Sequence, residues 1–322
     1  IEWANGDAKT TKWGRMRAEA GHPEPFNLKY LGIGNEDLIS ETFTERFNMI
    51  FDAVREKHPE IIICGTVGPF YEGSDYEWGW KLAKEKEVPM VDEHYYVSPG
   101  WYIHNQDYYD HYDRNASEVY LGEYACHVAS RHNNIETALC EALHLTNVER
   151  NADIVHMATY APLFAHIEGW QWRPDLIWDD NQRSVRTCSY YVQQLYSHYK
   201  GTHVLPTTMD GRVVAGDDDQ HGLSASAVCD DKTGCIYIKV ANTSDEAQPI
   251  NITLRGAKHL SEARVVTLGS ADTDAENTLD NPSVVVPQER AVTLSGNVLC
   301  DVLQPKTFAV YIVTQVSTVK KI

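Results

Sequence analysis

The first half of this chain repeats a strand-then-helix pattern about every 30 residues, and no other feature restricts its fold so tightly. Short β-rich runs stand at residues 28–33, 61–66, 89–95, 118–122 and 154–160, with helical stripes between them. Phe43, Phe47, Ile50, Phe51 and Val54 follow the spacing of one helix face, and Lys57 with Pro59 supplies its stop. Ile135, Leu139, Ala142, Leu143 and Val148 form a similar stripe after the fourth run. Strands separated by helices pair in parallel, and this period is that of a (β/α)8 TIM barrel, which spends about 250 residues on eight units. An open doubly wound sheet is the alternative, but it would more often carry a glycine-rich phosphate turn after its first strand, and none is visible. Polar residues also favour the barrel. Asn35-Glu36, Asp92 to Tyr96 and Gly122 to Tyr124 cluster at the carboxyl ends of strands, where a barrel builds its active site. Residues 1–4 read as a sixth strand. Two further units are then expected upstream of Ile1, in a longer polypeptide.

After a helix over 189–199, Lys200-Gly201 closes the repeat and the hydrophobic period switches to two. Runs at 222–228, 235–241, 250–254, 263–268, 283–286 and 307–313, separated by Gly, Asn, Asp and Pro, read as a β-sandwich. The expected organisation is a catalytic barrel over 1–200, incomplete at its amino end, and a carboxyl-terminal β-sandwich over 201–322. The polar stretch 269–281 reads as an exposed loop. Among seven scattered cysteines no pair has C-x-x-C spacing. Cys229 and Cys235 flank a turn segment and either face each other as a disulfide, implying an oxidising compartment, or remain thiols.

A net charge of -18 argues against nucleic acid and anionic membrane as partners, since both would repel the chain. No apolar stretch is long enough to cross a bilayer. The 14 histidines include no H-E-x-x-H or other compact ligand spacing, so a catalytic metal is not expected. Gly222-Leu223-Ser224-Ala225-Ser226 lacks the closing glycine of a serine-hydrolase elbow.

Glycosidic bond cleavage needs one carboxylic acid at the leaving oxygen and one carboxylate below the ring. Among 46 acidic residues, the informative ones stand at strand ends beside apolar runs. Glu36 and Glu123 do so and lie 87 residues apart (123 − 36), about three barrel units. A single such glutamate is more simply a solvated loop residue or an ion-pair partner; two at equivalent positions point to catalysis.

Gly34-Asn35-Glu36 and Gly122-Glu123-Tyr124 resemble the acid/base and nucleophile motifs of the retaining barrel glycosidases. Glu2-Trp3-Ala4-Asn5-Gly6, Trp13-Gly14, Arg17, Gly21-His22-Pro23-Glu24-Pro25 and the run from Lys29 to Glu36 narrow the resemblance to glycoside hydrolase family 51, the α-L-arabinofuranosidases. Trp172 to Trp178, Ser189 to Gln194, Asn281-Pro282 and Leu303 to Phe308 extend it over nearly the whole chain. The resemblance implies Glu36 as general acid/base, Glu123 as nucleophile, Asn35 at the sugar 2-hydroxyl, and His94 and Tyr96 lining the site, with Tyr96 holding the nucleophile. It also implies sugar contacts from Gln171, Trp170 and Asn5, although family members usually carry cysteine where this sequence has Ala4. Alternation places His94 and Tyr96 on one strand face and Glu93 on the other, which makes Glu93 structural. The implied activity is release of terminal arabinofuranose from plant oligo- or polysaccharide, without a cofactor, by a homo-oligomer in an extracellular or periplasmic setting. A carbohydrate-binding relative without turnover and a same-clan glycosidase acting on xylosides or glucans are the rival readings.

Overall fold

The structure is a computed structural model that describes residues 1–315. It divides into two compact units, Ile1–Tyr95 with Asp113–Gly122, and Tyr96–Tyr112 with the chain from Glu123 onward.

The first unit contains α1 (Glu2–Asn5), α2 (Lys12–Glu19), β1 (Tyr30–Ile33), α3 (Glu41–Lys57), β2 (Ile62–Thr66), α4 (Ser74–Lys86) and the amino-terminal parts of β3 (Met90–Val97) and β4 (Glu118–Cys126). Its sheet order is β1-β2-β3-β4. β1 pairs in parallel with β2 from Tyr30↔Ile62 to Ile33↔Gly65, and β2 with β3 from Cys64↔Met90 to Thr66↔Asp92. The stripe read from the sequence becomes α3, capped by Ser40, whose hydroxyl accepts the Phe43 N–H. Phe47 of α3 is buried and lies so close to Gly65 that a Cβ there would sit 3.2 Å from its ring. The expected strand at residues 1–4 is instead α1, a single turn. Four residues are too few for a period to declare itself. The buried Arg17 guanidinium fixes the turn by donating to the carbonyls of Trp3, Ala4, His22 and Pro23.

The second unit begins with the carboxyl ends of β3 and β4 and includes α5 (Pro99–His104), α6 (Ile135–Arg150) and β5 (Val155–Tyr160), the last hydrogen-bonded beside β4. A small sheet of β6 (Phe164–His166), β7 (Ile177–Asp179) and β8 (Ser184–Arg186) precedes α7 (Cys188–His198). The remaining strands are β9 (His203–Leu205), β10 (Thr208–Met209), β11 (Arg212–Val213), β12 (Leu223–Asp230), β13 (Cys235–Asn242), β14 (Gln248–Thr253), β15 (Leu260–Gly269), β16 (Gln288–Ala291), β17 (Thr293–Ser295), β18 (Val298–Leu303) and β19 (Thr307–Gln315). They build a six-stranded sheet, β16-β15-β19-β13-β12-β9, a three-stranded sheet, β14-β18-β17, and an antiparallel pair, β10-β11. Ile238, Val265 and Tyr311 of the larger sheet share a core with Ile250, Leu299 and Leu303 of the smaller. Lys239 points the opposite way from Ile238 and is fully buried, donating to Glu149 of α6 and to the Tyr199 carbonyl.

Two expectations in this unit are corrected and one open alternative is decided. The stretch 269–281 is not simply exposed. The carbonyls of Ala275 and Thr273 accept the N–H groups of Ile135 and Glu136, which satisfies two of the orphan donors at the start of α6. No strand forms at 283–286, because the buried Asn277 side chain takes both the N–H and the carbonyl of Val285. The ladder strand is β16, exposed throughout and therefore without apolar periodicity. Cys229 and Cys235 are free thiols. The register pairs Cys229 with Ile236 and Asp230 with Cys235, so the two thiols fall on opposite faces of the hairpin.

Candidate active site

The turn after β1 presents Glu36. Gly34 has φ +96°, and a Cβ there would meet Thr66 Cγ2 at 2.6 Å and Asp37 Oδ2 at 2.7 Å, so only glycine fits. Glu36 itself has φ +56°, a conformation uncommon for residues other than glycine and concentrated at functional sites. Asp37 closes the turn by accepting the Asn35 N–H at 2.7 Å. The Asn35 side chain is left exposed and the Glu36 carboxylate half-buried.

On β3, alternation sends Glu93 one way and Asp92 with His94 the other. Glu93 is buried and accepts from Tyr76 and Trp80 of α4, both at 3.3 Å, as its structural assignment required. His94 is also buried and sits between two carboxylates: Nδ1 lies 3.0 Å from Glu36 Oε1 and Nε2 3.1 Å from Asp92 Oδ2. A neutral imidazole has one N–H and one acceptor nitrogen, so which carboxylate receives the hydrogen depends on the tautomer. In the tautomer whose Nε2–H is given to Asp92, Nδ1 faces Glu36 with its lone pair. Gly122 allows this packing. A Cβ at that position would stand 2.0 Å from Asp92 Oδ1 and 3.0 Å from His94 Nε2.

In the second unit the half-buried Glu123 carboxylate accepts a 2.6 Å hydrogen bond from the Tyr96 hydroxyl. This short bond from a phenol fixes that oxygen. The Tyr96 ring stacks on His127 (5.1 Å between centroids) and leans on Trp172 (5.5 Å). Burial, helped by Arg131, pushes His127 down to about 4, so it packs as a neutral ring near neutral pH. Trp170 and Trp172 are exposed; Trp170 shares the Arg173 guanidinium with Trp178, at 5.1 and 4.8 Å from the two ring centroids. Gln171 is exposed between the two tryptophans.

Of the residues expected at the site, Glu36 thus meets His94, and Glu123 meets Tyr96 with Trp172 alongside. Asn5 stands apart. Its amide exchanges two hydrogen bonds with the Leu28 backbone, 2.7 and 2.8 Å, and ties α1 to the approach to β1. Two participants escaped the sequence reading. Asp92 was findable, being two residues before His94 and so on the same strand face. His127 carried no signal, because it follows the end of β4 in a loop.

In the second unit Glu141 of α6 is buried, and desolvation pushes its carboxyl from 4.5 up to about 8 against the opposing Cys126 N–H. The native state therefore keeps a proton that the unfolded chain releases above about pH 4.5. Stability contributed by this group is full below that pH and is lost as pH rises towards about 8. Glu141→Gln retains the acceptor for Cys126 and removes the titration. It is expected to melt with the wild type near pH 4.5 and to be more stable by about 3 kcal/mol at pH 7, read from melts across that range.

Residues 1–114 match a family profile described as α-L-arabinofuranosidase 1 domain, and residues 108–306, more than half of the chain, one described as α-L-arabinofuranosidase C-terminal domain. An extracellular exo-α-L-arabinofuranosidase of Streptomyces chartreusis is 45% identical over 207 residues, covering 64% of this chain and 24% of that protein. α-L-Arabinofuranosidase 2 of Arabidopsis thaliana is 31% identical over 315 residues, covering 96% and 44%. The arabinose-bound MgGH51 α-L-arabinofuranosidase superposes with a TM-score of 0.86 at 27% identity, over 98% of this chain and 49% of that one. The chain spans less than half the length of each of these relatives. The Thermotoga maritima arabinofuranosidase, at 18% identity and a TM-score of 0.74, shares the fold. That fold is a TIM barrel followed by a C-terminal β-sandwich. The chain belongs to the α-L-arabinofuranosidases of glycoside hydrolase family 51.

Proposed function

We propose that the protein is a retaining, exo-acting α-L-arabinofuranosidase that frees terminal arabinofuranosyl residues from arabinose-containing plant oligo- and polysaccharides, with the chemistry in the barrel segment up to about residue 200. The observation that carries this reading is the contrast between two strand-end glutamates. Glu36 is bonded to an imidazole, which both gives and takes protons, whereas Glu123 is bonded to a phenol that donates to it. The first setting suits an acid/base and the second an anion poised as nucleophile.

In the first step Glu123 attacks the anomeric carbon as Glu36 protonates the departing glycosidic oxygen, giving an arabinosyl ester on Glu123. In the second, Glu36 takes a proton from water, and that water displaces Glu123 at the same carbon. Two inversions retain the α configuration. Asn35, exposed beside Glu36, holds the 2-hydroxyl; Trp170, Gln171 and Asn5 are proposed sugar contacts. The full-length protein should hydrolyse 4-nitrophenyl α-L-arabinofuranoside in preference to the β-xyloside, with the α anomer of arabinose appearing first by NMR. Failure to hydrolyse either substrate would favour a binding relative, and preference for the xyloside a different glycosidase.

Asp92 sets the tautomer of His94 in this scheme. In Asp92→Asn the new amide donates to Nε2, so Nδ1 carries the hydrogen and can no longer accept from a protonated Glu36. The expected outcome is a fall in kcat, within the roughly 10²–10⁴-fold that a general acid contributes, a displaced pH–rate profile and little change in KM. A KM effect alone would mean that Asp92 serves binding instead.

A further inference from the structure

We propose that His203, Cys229 and Asp231 form a binding site for one zinc-class metal ion at the edge of the large sandwich sheet. The site is remote in sequence from the catalytic motifs and independent of the function proposed above.

Register brings the three side chains together. β9 is the edge strand and pairs antiparallel with β12, placing His203 directly opposite Cys229, so that both side chains leave the same face. Asp231 follows Cys229 by two residues, which returns its side chain to that face at the strand end. A His nitrogen, the Cys sulfur and an Asp oxygen all lie within 4.8 Å of one another, and His203 Nδ1 is 2.9 Å from Asp231 Oδ2. A tetrahedral ion with bonds of about 2.0–2.3 Å spaces its donors about 3.3–3.7 Å apart, so small side-chain rotations close the site.

The donor chemistry selects the ion. Thiolate with imidazole and carboxylate suits Zn²⁺ and Co²⁺, whereas Ca²⁺ and Mg²⁺ require oxygen donors. His203 and Asp231 are 63% and 60% exposed in their side chains, which leaves room for water as a fourth ligand. Thr202 supplies an outer contact: its hydroxyl accepts the Asp231 N–H at 3.1 Å. A surface ion pair explains two of the three residues but not a thiol on the same face. Bridging the strands would pin β9, which has only three residues and one paired side.

The test is titration of the reduced, chelator-treated full-length protein with Co²⁺. The wild type should develop a thiolate-to-cobalt charge-transfer band that saturates at one equivalent and is bleached by Zn²⁺ but not by Ca²⁺. The band should vanish in Cys229→Ser and persist in Cys235→Ser. His203→Ala should weaken binding by at least about tenfold, the loss expected from disturbing even an outer contact. Zn²⁺ should raise the Tm of the wild type and not of Cys229→Ser. Absence of the band, its survival in Cys229→Ser, or equal displacement by Ca²⁺ would overturn the proposal. Melting curves of each metal-free variant establish that it is folded before titration.

Discussion

Glu36→Gln is expected to lower kcat/KM by about 10²–10⁴-fold on arabinosides whose leaving group is a sugar alcohol, and far less on 4-nitrophenyl α-L-arabinofuranoside. The difference follows from the step that needs the acid. An alkoxide leaves only if it is protonated, and glutamine has no proton of suitable acidity to give. 4-Nitrophenolate departs unaided, so formation of the arabinosyl ester continues at nearly its normal rate. The second step still lacks its base and becomes limiting, so the ester accumulates and kcat and KM fall together. A variant equally impaired on both substrates would show that Glu36 is not the proton donor. The amide can still hydrogen-bond to His94 through its NH2 group, so loss of structure at the turn is a poor explanation for the expected pattern.

Glu123→Gln should be worse and indifferent to leaving group, with kcat reduced on the order of 10⁶-fold, the scale reached when a covalent catalyst loses its nucleophile. No ester can form, so even the activated aryl glycoside gains nothing. Tyr96→Phe is the milder companion. It removes the 2.6 Å bond that orients the Glu123 carboxylate but leaves the nucleophile in place. Substrate binding to Glu123→Gln, followed calorimetrically with an arabino-oligosaccharide, should remain. Loss of binding together with rate would assign Glu123 to substrate recognition.

How far these residues could be read from sequence depended on whether local pattern or distant packing places them. All five strands of the first sheet were visible as apolar runs, and α3 and α6 were visible by their stripes. Glu36 and Glu123 were visible because they interrupt such runs at strand ends, and the separation of Glu93 from His94 follows from the pleat alone. The failures share a cause. α1 is a single turn held by the guanidinium of Arg17, and the Val285 backbone is claimed by the side chain of Asn277, so in both places one distant polar group overrides weak local preference. β16 is exposed on both faces and carries no hydrophobic alternation. The segment 269–281 looked like solvent-exposed loop because its polar residues spend their backbone on the start of α6, a partner more than a hundred residues away. Gly122 shows the reverse. It reads in sequence as one letter of a motif, and only the structure shows that a β-carbon there would collide with Asp92 and unseat His94.

The division of roles between the two glutamates is tested most directly by the stereochemistry of azide rescue. In Glu36→Ala, azide attacks the arabinosyl ester already formed on Glu123, so 4-nitrophenyl α-L-arabinofuranoside should yield the α-arabinofuranosyl azide after two inversions. In Glu123→Ala, azide takes the place of the missing nucleophile and attacks the substrate once, yielding the β azide. Those two products, assigned by NMR, are what this account predicts; the same pair with the variants exchanged, or a single anomer from both, would contradict it.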